Sequence, residues 1–289
     1  MIAWFGRQLI LLWFFIALIL CWEYLALNYS PGLSLLLFAK IKWPYWAEVD
    51  FSTKPGKPIS YALGWIGFGF MVSTNFYILR KRLGIMQKWG NPSVWLDYHI
   101  FCGLIGPTLI IFHTDFKVRG LVAISFWSMM IVAGSGILGR YLYMKVLIGA
   151  AELRGQIQEW DKKISTLITS SKKNVTEAEI AGLKGMALQY AGATPLTEEV
   201  VGLSGLFKIV WFSVVGDIKI FFSHAGIGRH LHPLAPIVLL NYATTVRREL
   251  TLEPFRRLLG YWHAFHVPFT FAMYITAIIH IVVVSLLRV

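Results

Sequence analysis

The chain has 289 residues, of which 56% are hydrophobic and only 15% charged, with 12 Trp, 20 Phe and a mean hydropathy of +0.61. The apolar residues fall in blocks of about 20, enough for a helix to cross a hydrocarbon core of roughly 30 Å, so a soluble enzyme and a nucleic-acid binder are both excluded. The surplus of 27 Lys+Arg over 15 Asp+Glu belongs to loops that set membrane topology, and Cys21 and Cys102, both in apolar segments, suggest neither a disulfide framework nor a thiolate metal site.

The first apolar block, about 4 to 27, follows a basic start but has no small-x-small cleavage site, so it reads as a retained span. A turn-rich loop with Trp43, Tyr45 and Trp46 leads to a second span, about 59 to 79. It ends at Arg80-Lys81-Arg82, the densest short basic cluster adjoining any span, which places that end and the N-terminus in the cytoplasm. Span three, about 98 to 114, lies between Asp97 and Asp115, and span four runs from about 121 to 143. From about 146 to 255 the chain turns polar and reads as a cytoplasmic helical insert. Within it Thr176-Glu177-Ala178-Glu179 fits a capping box, and 206 to 222 is apolar but carries Lys208, Asp217 and Lys219, so it suits the membrane interface as well as a span. The last span, about 260 to 287, must then run parallel to span three. The expected organisation is all-α: spans one to four over 1–145, the insert over 146–255 and span five over 256–289, with spans two to five forming a four-helix bundle.

Eight histidines occur, and four share a pattern: His99 and His113 are fourteen apart on span three, and His266 and His280 are fourteen apart on span five. Fourteen helical residues rise about 21 Å and return to nearly the same face. Because the two spans are parallel, His99 meets His266 at cytoplasmic depth and His113 meets His280 at outer depth. Two bis-imidazole sites are what two stacked b-type haems would require, each iron held by one His from each helix. A lone intramembrane His is as readily a polar side chain bonded to a backbone carbonyl; the duplicated spacing favours ligation.

Gly103 and Gly106 on span three, and Gly134, Gly136 and Gly139 on span four, would let a flat ring approach the backbone, or simply let helices pack closely. Arg140, Arg256 and Arg257 at the inner end, and Lys117 and Arg119 at the outer end, are candidate propionate partners or topology-setting charges. The string GSGILG, 134 to 139, matches a dinucleotide fingerprint in letters but lies inside a membrane helix and is rejected. His263 sits at the cytoplasmic rim with Tyr261, Trp262 and Asp97, where a quinone is the second candidate ligand. His224, His230 and His232 in the insert read as a docking or haem-adjacent loop, with a metal site as the alternative.

The paired H-x13-H helices resemble the two-haem membrane cytochrome b family, which includes ferric reductases, NADPH oxidases and the cytochrome b of quinol-oxidising complexes. The stretches HTDF through FWSMMIVAGSGILGRYLY and YWHAFHVPFTFAMYITAIIH resemble bacterial cytochrome b subunits that work beside iron-sulfur or multihaem partners. The resemblance implies transmembrane electron transfer in a bacterial cytoplasmic membrane, with electrons supplied by quinol or by an iron-sulfur, flavin or multihaem partner. No flavin or nicotinamide motif appears, so a subunit of a larger oxidoreductase is expected in preference to a self-contained enzyme. The rival from another class is a His-lined metal or proton transporter, which predicts carboxylates in the spans beside the histidines.

Overall fold

The structure, a computed structural model, describes residues 2–46, 48–169, 175–193, 202–222 and 226–287. Every regular element among them is helical, and five helices are long and apolar enough to cross a membrane. The chain divides into two compact units, Met1–Leu138 with Phe265–Val289, and Gly139–Ala264.

The first unit contains α1 (Ile2–Tyr29), α2 (Leu35–Lys42), α3 (Pro58–Ser73), α4 (Asn75–Arg82), α5 (Gly84–Gln87) and α6 (Pro92–His113), together with most of α7 (Leu121–Val146) and the last part of α11 (Ala235–Leu287). Span two is thus α3 and α4 together, broken at Thr74, whose N–H reaches Met71 O in a tighter turn. Arg80 is not a free topological charge: it is buried and donates to the carbonyls of Gln87, Trp89 and Gly90, closing the turn that contains α5. Pro107 lies inside α6 without ending it.

Two glycines set the approach of α3 and α6. A Cβ on Gly67 would sit 3.0 Å from Gly106 O, and one on Gly106 would sit 3.0 Å from Gly67 O and 2.7 Å from Met71 Cγ. Gly106 therefore serves close helix packing. Gly106→Val is expected to cost about 1–3 kcal/mol through overpacking, whereas Gly103→Ala, where a Cβ meets nothing within 4 Å, is expected to be near neutral. Thermal unfolding in detergent compares the two.

Span one is more than an apolar anchor. Trp13 Nε1 donates to Thr108 Oγ1 at 3.0 Å and Tyr24 OH donates to Asp115 Oδ1 at 2.8 Å, fastening α1 along α6. Glu23, also on α1, is buried and accepts from Ser34 Oγ and from the N–H groups of Leu35 (2.9 Å) and Leu36 (3.1 Å), capping α2. Because α6 begins at Pro92, Asp97 lies inside the helix and not at its end; it is buried against Gly6 of α1.

The second unit contains α8 (Ala150–Thr169), α9 (Glu177–Tyr190) and α10 (Gly202–Phe222), with the end of α7 and the start of α11. Thr176 accepts from Glu179 N at 3.3 Å, the capping contact the sequence indicates. Residues 170–174, a Ser/Lys/Asn stretch whose composition reads as a turn, lie outside the described residues. Leu239, Ala243, Arg247, Thr251 and Phe255 form an i, i+4 stripe that is buried along α11. One core joins this stripe to Ile164, Leu183, Ala187 and Ala191, and a second joins Phe255 to Leu142 and Ile209. The 53-residue α11 is the main departure from expectation: no break separates the insert from span five.

Candidate functional site

The site begins with three imidazole anchors, all within the first unit. His113 Nδ1 lies 2.7 Å from Ser60 O, and Ser60 Oγ in turn donates to His113 O at 2.8 Å. His99 Nδ1 lies 3.0 Å from Thr74 O. A carbonyl oxygen can only accept, so each neutral imidazole carries its proton on Nδ1 and leaves the Nε2 lone pair free. Metal-ligating histidines are oriented by this second contact. Ser60 and Thr74 are themselves fourteen residues apart, so the antiparallel span two supplies a matched carbonyl for each histidine of α6. The inner carbonyl sits at the break between α3 and α4.

On α11, His266 Nδ1 lies 2.7 Å from Ser135 Oγ, whose own hydroxyl donates to Val132 O at 2.9 Å. With that proton committed, Ser135 accepts from His266, so the neutral ring carries its proton on Nδ1.

His113 and His280 line one cavity of about 130 Å³, bordered by α3, α6, α7 and the end of α11. Its walls are mainly apolar, with Phe68, Met71, Phe126 and Met129, and it lies at the end of the bundle where α6 terminates. Gly64 is required here, since a Cβ would fall 2.8 Å from His113 Nδ1. His113 and His280 thus border the same cavity. His99 and His266 do not line this cavity. Beside them Gly103, Gly134 and Gly136 are half-buried or exposed helical positions where an added Cβ would meet no atom within 4 Å.

Between the inner and outer histidines, the buried Met71, Met129 and Met273 pack together. Tyr274 OH donates to Met71 O at 2.5 Å and accepts from Asn75 Nδ2 at 2.9 Å, fixing α11 to the break in span two.

The remaining expected residues are distributed differently. Gly139 is taken up by the Trp262 indole, which covers it within the second unit. Arg140 is half-buried in that same unit, and Arg256 and Arg257 flank Glu253 at 3.9 and 3.5 Å. Lys117 is committed to Asp115 at 2.7 Å, while Arg119 is exposed. His263 and Tyr261 are exposed, and His263 lies against Trp262. His232 Nδ1 accepts from Leu234 N at 3.1 Å, shaping the turn before α11; His224 lies outside the described residues. Gly134 to Gly139 are helical throughout, the geometry that disqualifies GSGILG as a nucleotide loop. Among the described residues no three His, Cys, Asp or Glu side chains converge on a metal-sized site.

Asp115 and Phe116 adopt left-handed backbone, φ 50° and 58°, immediately after α6. Burial opposes ionisation of Asp115, but Lys117, Tyr24 and Thr53 outweigh it and hold the carboxyl below its ordinary value of 3.8. A depressed folded pKa means stability that is present above the unfolded value and is lost as pH falls through the folded one. The acid-unfolding profile of Asp115→Asn is therefore expected to be flatter below about pH 4 than that of the wild type.

Comparison with known proteins identifies no matching family model, no matching curated protein and no matching solved structure.

Proposed function

We propose that the chain binds two b-type haems and conducts electrons across a membrane as the cytochrome b subunit of a larger oxidoreductase. The observation that carries this reading is the cavity lined by both His113 and His280, two histidines already singled out by the repeated fourteen-residue spacing. A bis-histidine haem site needs two neutral imidazoles with free Nε2 atoms and a large apolar space between them. Ser60 sets His113 in that tautomer and the cavity beside it is mainly apolar, and both support the reading. At the inner site His99 and His266 are pre-set in the same tautomer by Thr74 and Ser135, and the open positions at Gly103 and Gly136 leave room for a flat ring. Haem would supply reversible one-electron exchange; the protein holds the imidazoles, excludes water and keeps the walls apolar.

Two features favour a cytochrome over a metal transporter. The three anchored imidazoles are bonded through Nδ1 to fixed acceptors, as ligands of a permanent cofactor are. The one acid buried within α6, Asp97, faces α1, whereas His99 faces Thr74 at the end of α3. The electron partner, an iron-sulfur, flavin or multihaem protein or a quinol, would meet the chain at a membrane face, with the N-terminus cytoplasmic in a bacterial inner membrane.

The test is a reduced-minus-oxidised spectrum with a pyridine haemochrome count on purified protein produced with ample haem. About two b haems per chain are expected; a colourless, folded preparation would overturn the reading. Gly64→Ala is expected to displace the His113 ring from Ser60 and to lower the haem count while leaving the inner site loaded, which the same assay reads.

A further inference from the structure

Helix α10 is built inside out for an aqueous surface. Its inward face carries Ile209, Ser213 and Gly216, all buried, and the carboxylate of Asp217. Asp217 receives Lys145 Nζ from α7 at 2.6 Å, Tyr141 OH at 3.3 Å and the Arg247 guanidinium from α11. Gly216 has no side chain because Arg247 and the Ala191 carbonyl occupy the space a Cβ would take. The opposite face presents Phe207, Trp211, Ile218 and Phe221, which are 70%, 67%, 51% and 79% exposed. These positions recur at i, i+4, i+11 and i+14, one stripe of a helix.

A helix that turns its one carboxylate in and large apolar side chains out is arranged for a hydrocarbon surrounding. The surface it packs on supports the same environment. Leu142 and Tyr141 belong to α7, a helix apolar enough to cross a membrane, and α10 meets them through Ile209 and Val210. Beside that contact Met144 of α7 and Leu147 just after it are also exposed, continuing the apolar surface. Lys208 and Lys219, exposed near the two ends of the stripe, are placed to reach lipid phosphates while their stems lie along apolar surface.

We infer that α10 lies in the plane of the bilayer, its Phe207–Trp211–Ile218–Phe221 stripe immersed at the headgroup boundary and its two lysines on anionic headgroups. The partner is the lipid surface itself, and the inference stands whether or not haem is bound. An in-plane helix keeps all four stripe residues at one depth, whereas a sixth span would carry them progressively through the bilayer.

The test uses the full chain with Cys21→Ser and Cys102→Ala, reconstituted in bilayers of phosphatidylcholine and phosphatidylglycerol. Single substitutions Phe207→Cys, Trp211→Cys, Ile218→Cys and Phe221→Cys each carry a nitroxide, and its collisions with oxygen and with a water-soluble nickel chelate are compared. All four are expected to favour oxygen, at similar depth, with Arg229→Cys favouring nickel. Nickel access along the stripe, a depth profile that rises and falls along it, or exclusion of both reagents by covering protein would each overturn the inference. If the cysteine-substituted chain fails to fold, quenching by brominated lipid is compared between wild type and Trp211→Phe. Loss of a strongly quenched component is expected, and unchanged quenching would contradict lipid contact.

Discussion

His113→Ala and His280→Ala, made separately, are each expected to lower the haem content from about two per chain to about one, and the lost haem should be the same in both. The two imidazoles line a single cavity, so either alone leaves an iron with one axial ligand and a void on the other side. The inner pair should keep its haem, because His99 and His266 take their anchors from Thr74 and Ser135 and not from the outer cavity. A double variant His113→Ala/His280→Ala should therefore resemble either single one. The haemochrome count with redox titration of the remaining centre checks this. Independent losses, in which the double variant loses both haems while each single variant loses a different one, would show that the outer pair does not share a cofactor.

Asp217→Ala is expected to have the largest effect on stability. Its carboxylate answers two cations, Lys145 at 2.6 Å and Arg247, and the Arg247 side chain is only 2% exposed. Removing the anion leaves Arg247 buried with no counter-charge from Asp217 and a hydrogen bond to the Ala191 carbonyl at 2.6 Å, a loss of about 3–5 kcal/mol for a broken buried pair. Because the Asp217 side chain is 38% exposed, the lower end of that range applies. Arg247→Met should be milder, since Lys145 still neutralises Asp217 and the methionine fills much of the space. Thermal unfolding in detergent orders the two; a greater loss for Arg247→Met would mean that packing and not charge holds α7, α10 and α11 together.

The five apolar helices were legible because lipid imposes long hydrophobic runs, and their approximate limits followed from hydropathy alone. The continuity of α11 was not. Its first half alternates Leu239, Ala243, Arg247, Thr251 and Phe255 on one buried face, and a buried stripe containing Arg and Thr lowers hydropathy until it resembles a solvated insert. The role of α1 was missed for a related reason: Trp13 and Tyr24 reach Thr108 and Asp115 across more than ninety residues of chain, and single polar pairs at that separation leave no periodic trace. Asp97 was placed at a helix end because the span was started six residues late, at Tyr98 in place of Pro92.

Within the candidate site the histidine pattern was visible in spacing, and so was the parallel order of spans three and five that puts His113 and His280 at one end. The anchors were hidden. Ser60 and Thr74 act through backbone carbonyls, which carry no residue identity, and only the matching interval of fourteen residues in span two hinted at them. Ser135 stood between two glycines already under consideration, yet its hydroxyl acquires meaning only when α7 and α11 are side by side.

The central claim is electron passage from one face of the membrane to the other. The most direct measurement encloses ferricyanide inside proteoliposomes containing the haem-loaded chain and adds an impermeant reductant outside. Trapped ferricyanide should be reduced with wild-type protein, and its reduction should fall to the rate of protein-free vesicles with His99→Ala or His280→Ala. Wild-type vesicles that reduce it no faster than protein-free ones, despite carrying haem, would contradict the account.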